Sequence, residues 1–120
     1  KDLSISYLLD FYGQMLTDKQ REVTEFYYND DLSLAEIADH CHITRQGVRD
    51  AIKRAEQQLL EMEERLGLAR RFQDMQASLT AICDCAIAIQ ELNAAHGAVP
   101  QIDQQASKIL ERAEEIAVND

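Results

Sequence analysis

Leu34-Ala35-Glu36-Ile37-Ala38-Asp39-His40-Cys41-His42-Ile43-Thr44-Arg45-Gln46-Gly47-Val48-Arg49-Asp50-Ala51-Ile52 has the layout of two helices joined by a tight turn. Ser33 and Glu36 make a capping box that opens the first, and Thr44 caps the second. Ala38 is small where the backbones of two crossing helices would approach. Ile37, Ile43, Val48 and Ile52 supply an apolar wedge between them. This spacing predicts a helix-turn-helix. Thr44 leaves the first amides of its helix facing outward, where a phosphate can sit. Arg45, Gln46 and Arg49 then fall on the exposed front, and Lys53 continues the line because a step of four drifts only about 40° around a helix. Arg and Gln are the side chains that bond bidentately to guanine and adenine edges. Thr44, Arg45, Gln46, Arg49 and Lys53 are therefore the candidate nucleic-acid-binding residues. The competing expectation is a solvated face, with Asp50 and Glu56 near enough to neutralise it and Gly47 a poor helix former.

Working outward, start and stop signals predict four more helices. One runs from about Leu3 to Met15. The next opens at the capping box Thr17-Asp18-Lys19-Gln20 and ends near Tyr28, before the turn Asn29-Asp30-Asp31. The Thr44 helix is long, with Val48, Ile52, Ala55, Leu59, Met62 and Leu66 alternating steps of four and three up to Gly67. Leu68, Phe72, Met75, Leu79, Ile82, Ala86 and Ile89 continue that rhythm in a helix over about 69–96. Pro100 ends the intervening turn, and Ile102, Ala106, Ile109, Ala113 and Ile116 repeat the rhythm in a last helix. The alternation is the seam of helices packed nearly side by side, and the short turn makes the last two antiparallel. The expected fold is all-α: a helix-turn-helix domain over 1–66, then a helical hairpin over 67–120. The longer hairpin helix has more stripe than its neighbour can cover, so either the first domain or a second subunit covers the remainder, and a homodimer through the C-terminal helices is the expectation.

Composition narrows the function. The 120 residues include one Pro and four Gly, few enough to favour helix. No apolar run approaches the roughly 20 residues of a membrane helix, and residues 1–16 lack a basic start followed by a long apolar stretch. Cys41, Cys83 and Cys85 are an odd number, read as free thiols in a reducing cytoplasm. Cys41 is placed in the core between the two motif helices. Cys83 and Cys85 are placed near the apolar side of theirs. His40-Cys41-His42 has the composition of a metal cluster, but adjacent side chains diverge and no second ligand pair stands at zinc spacing. The run Glu61, Glu63, Glu64 is expected on a solvated face. With no Gly-rich phosphate loop, nucleophile elbow or HExxH, the chain is expected to bind rather than catalyse, without a cofactor. The net charge is −10, and residues 1–66 alone hold 8 basic and 14 acidic side chains. Phosphate contacts need clustered Lys and Arg, so nucleic-acid binding would rest on a local patch.

Three stretches resemble one family: Leu16-Thr17-Asp18-Lys19-Gln20, then Tyr27 through Ala38, then Thr44-Arg45-Gln46-Gly47-Val48 with Ile52-Lys53-Arg54. They look like the YlxM-like family of small bacterial helix-turn-helix proteins, over about residues 7–68. The resemblance implies a motif similar to the last DNA-binding region of sigma factors. It also implies a DNA duplex as partner, or the RNA or GTPase of the signal recognition particle, beside whose gene the family's genes commonly sit. Arg45, Gln46, Arg49 and Lys53 match the family's recognition helix. His42 departs from the pattern, standing where many such turns carry Gly.

Overall fold

The computed structural model describes residues 1–119. It contains six α-helices and, among the described residues, no strand: α1 Leu3–Tyr12, α2 Asp18–Tyr28, α3 Leu34–Cys41, α4 Arg45–Leu66, α5 Leu68–Ala95 and α6 Pro100–Asn119. The chain is all-α, and it divides into two compact units, Lys1–Arg70 and the stretch from Arg71 onward. Among the described residues no helix is long and apolar enough to cross a membrane.

Local chemistry sets the helix ends. Thr17 accepts from the Gln20 amide while the Gln20 side chain reaches back to Thr17, and Ser33 and Glu36 do the same for α3. Gly67 closes α4 in the left-handed conformation. The first helix is shorter than its apolar pattern suggests. It ends at Tyr12, and Gly13–Met15 form a single 3-10 turn, with the Leu16 amide donating to Gly13 O at 3.1 Å. The tighter turn carries the chain into the extended backbone that Thr17 needs as a cap.

In the first unit α4 is the spine. Its N-terminal half buries Val48 and Ile52 against Val23 of α2 and Ile37 and Ala38 of α3. Its C-terminal half buries Ala55 and Leu59 against Ile5, Leu8, Leu9 and Tyr12 of α1. A fully buried aliphatic side chain contributes about 1.5–3 kcal/mol, so these two clusters hold α4 in register while one of its faces stays free. Thr24 lies fully buried in α2, and its hydroxyl has no hydrogen-bond partner among the described residues. A buried unsatisfied hydroxyl is a net cost, which a methyl group removes. Thr24→Val is expected to raise stability by about 1 kcal/mol, read as a higher urea midpoint. A fall would mean that the hydroxyl is satisfied.

In the second unit α6 folds back along α5. Gln90 Nε2 donates to Ser107 Oγ at 3.1 Å, residues placed symmetrically about the turn, as an antiparallel hairpin requires. Asn93 staples that turn, donating to Val99 O at 2.8 Å and accepting from Val99 N at 2.9 Å. Alanines close the seam: Ala86, Ala106 and Ala113 are buried. Cys83 is half-buried, but Cys85 is exposed, which corrects its expected place near the core. The two lie about 200° apart around the helix, so only one can face the seam.

Candidate nucleic-acid interface

The turn between α3 and α4 aims the candidate side chains. Its pivot is His42, with φ 57° and ψ 42°, a left-handed conformation that glycine adopts freely and other residues rarely. His42 and Ile43 both donate their amides to Ala38 O, closing the end of α3. The turn thus has the geometry that a glycine would give, carried by histidine. His42→Gly is expected to stabilise the fold by about 0.5–1 kcal/mol and His42→Val to destabilise it by about 1–2 kcal/mol, measured by chemical denaturation. The reverse order would show that the His42 side chain is itself needed. Thr44 then caps α4, its Oγ accepting from the Gly47 amide at 3.0 Å. A Cβ at Gly47 would meet that oxygen at 3.3 Å, so the glycine leaves the cap its room.

Thr44, Arg45, Gln46, Arg49 and Lys53 are all exposed. Among the described residues Arg45, Arg49 and Lys53 make no ion pair. The two acids nearest them each accept a hydrogen bond from a neutral donor and stay beside Arg49 and Lys53. Asp50 accepts from Gln46 Nε2 at 2.9 Å, and Glu56 accepts from the Tyr28 hydroxyl at 2.9 Å. Burial first, and Glu56 second, push the Tyr28 phenol far above its ordinary pKa, so it stays a donor. Gln46 differs from its neighbours, since its amide nitrogen is already committed within the helix. Residues 45–54 carry four cations against one acid, a basic strip on an acidic chain.

Both edges of the strip are concave. On one side an open groove of about 380 Å³ is lined by Tyr27, Tyr28, Gln46, Arg49 and Lys53, with the carboxylates of Asp2, Asp50 and Glu56 also on its wall. On the other, a groove of about 400 Å³ is lined by Lys19 and Gln20 at the start of α2 and by Gly47, Ala51 and Arg54. The motif spacing did not single out Tyr27, Tyr28, Lys19 or Arg54. Of these, only Arg54, directly after Lys53, could have been found from its place in sequence.

The remaining polar residues near the motif are structural. The His40 ring meets Phe26 edge-on at 4.8 Å. Cys41 packs against the α2–α3–α4 cluster, and burial pushes its thiol above the ordinary range. Among the described residues no three His, Cys, Asp or Glu side chains are placed to hold a metal.

A family model described as "Putative helix-turn-helix protein, YlxM / p13 like" matches residues 1–99. A UPF0122 protein of Caldanaerobacter subterraneus subsp. tengcongensis is 51% identical over 83 residues, covering 69% of this chain and 71% of its own. One of Acetivibrio thermocellus is 44% identical over 109 residues, covering 90% and 86%. One of Shouchella clausii is 38% identical over 104 residues, covering 87% and 95%. The match extends beyond residues 7–68 in both directions and takes in α5. With its capped α3–α4 turn and this match over most of its length, the chain belongs to the UPF0122 family of YlxM/p13-like helix-turn-helix proteins.

Proposed function

We propose that this protein is a nucleic-acid-binding regulator that lays the front of α4 in the major groove of a DNA duplex, in the manner of the last DNA-binding region of sigma factors. It works by binding and not by catalysis. The observation that carries this reading is that, among the described residues, Arg45, Arg49 and Lys53 make no ion pair, on a chain with ten excess negative charges. Unpaired cations on an acidic body are free to release counterions from phosphates. Arg49, in the middle of the strip, is assigned to a base edge. Arg45 and Lys53 are assigned to phosphates, with Thr44 holding the helix start against the backbone. Gln46 would have to exchange Asp50 for an adenine edge, so its contribution is conditional on that exchange.

The test is the salt dependence of binding to a labelled duplex, followed by fluorescence anisotropy. Two phosphate-facing cations predict a log–log slope of about −2, and Lys53→Ala should reduce it by about one. Absence of binding at low salt, or a slope near zero, would remove the proposal.

The charge of −10 favours a second reading: docking on a basic protein or ribonucleoprotein, with the GTPase of the signal recognition particle as partner. Co-purification with that GTPase that survives nuclease, together with no duplex binding, would select it.

A further inference from the structure

We infer that the α5–α6 hairpin is half of a four-helix bundle and that its occupant is the same hairpin of a second copy. Alanines close the hairpin, but the isoleucines beside them do not close. Ile82 and Ile89 of α5 and Ile102, Ile109 and Ile116 of α6 stay 40–47% exposed. They repeat every seven residues along one edge of each helix, so each row keeps a single direction. With α5 and α6 antiparallel, Leu79, Ile82, Ile109, Ala113 and Ile116 border one open apolar groove of about 350 Å³. Two helices cover a seam from one side only, and a four-helix bundle covers it from both.

The character of the groove selects a second copy over an unlike partner. A two-fold interface sets the same patch against itself, so a charge at its centre would meet a like charge. Its lining is mostly apolar, and its two charged residues, Lys108 and Arg112, are exposed and carry their charge on long stems that can reach past the apolar surface. Its size is adequate. The 20 residues of α6 span about 30 Å, and two helices side by side are about 20 Å wide. The resulting face of about 600 Å² approaches the roughly 800 Å² per partner of a stable interface. The inference does not depend on what α4 binds.

Cys85 is the reporter. It is exposed and sits three residues from Ile82 and four from Ile89, on the same open face, where a partner would shield it. The experiment uses the full chain over a range of concentrations. It reads mass by light scattering and alkylation of the Cys85 peptide by mass spectrometry, for the wild type and Ile109→Glu. The expected result is a wild-type dimer whose Cys85 reacts about tenfold more slowly as concentration rises, and an Ile109→Glu monomer with unchanged helical circular dichroism and fast Cys85 reaction. A wild type that stays monomeric with Cys85 reacting at one rate throughout overturns the inference, as does an Ile109→Glu chain that remains dimeric. Should Ile109→Glu lose its helicity, the wild-type alkylation series alone decides.

Discussion

Replacing Arg45 and Arg49 together by alanine is expected to weaken duplex binding about 100-fold or more, with the fold intact. Arg49→Ala alone should cost about 1–3 kcal/mol if its guanidinium meets a base edge, and it should relax preference at that base pair. Arg45→Ala, at a phosphate, should weaken all sequences alike. Both side chains are exposed and neither makes an ion pair among the described residues, so the substitutions remove no internal partner. Unchanged denaturation midpoints would show that a loss of affinity is not a loss of structure. Asp50→Asn is the informative companion. It weakens the acid that holds Gln46 and removes the one negative charge in the strip, so affinity should rise severalfold at low salt. Anisotropy titrations of the five proteins on a duplex and its single-base-pair variants would measure all of this. Equal affinity of the wild type and the Arg45/Arg49 double variant would end the assignment of α4 as the binding element.

What was legible in the sequence was what is local. The caps at Thr17, Ser33 and Thr44 and the stop at Gly67 each need partners within four residues, and all four form as expected. The exposed front of α4 follows from the same short spacing. The pattern also marked the stripe of the hairpin. It did not show that alanines would fill the seam and leave six isoleucines outside, because that depends on how closely two backbones approach. Pairs between distant positions were hidden as well. Glu56 is held by Tyr28 from 28 residues upstream, a partner that its place in the sequence does not reveal. Glu63 is held by Tyr12 across 51 residues, so the expectation of a solvated face holds for Glu61 and Glu64 and fails for Glu63.

Glu63→Ala is expected to cost the first unit about 2–3 kcal/mol at neutral pH, the largest effect among its polar residues. The carboxylate accepts from the Tyr12 hydroxyl at 2.6 Å and from the amides of Ala69 and Arg70 at 3.0 Å each. The Leu68 amide donates in turn to the Tyr12 oxygen at 3.0 Å. Gly67 has just ended α4, so these are the orphan amides at the start of α5, and a side chain from the preceding helix caps them. Tyr12 is fully buried, and its phenol, raised first by burial and then by Glu63, remains protonated and donating. The Tyr12 hydroxyl foremost, then the two amides and the Arg70 charge, hold Glu63 below its ordinary value of 4.5, against the opposing effect of burial. The sign follows from that depression. The unfolded chain takes up the proton more readily, so the contribution is fully present above about pH 4.5 and is lost as the pH falls through the lower folded value. Glu63→Gln should therefore lie well below the wild type in urea unfolding at pH 7, and the gap should narrow by pH 3. Tyr12→Phe should cost about 1–2 kcal/mol, and less in a Glu63→Gln background, because the pair shares one network. A gap of the same size at both pH values would show that Glu63 acts through its shape and not its charge. The cap at the α4–α5 joint would then rest on packing alone.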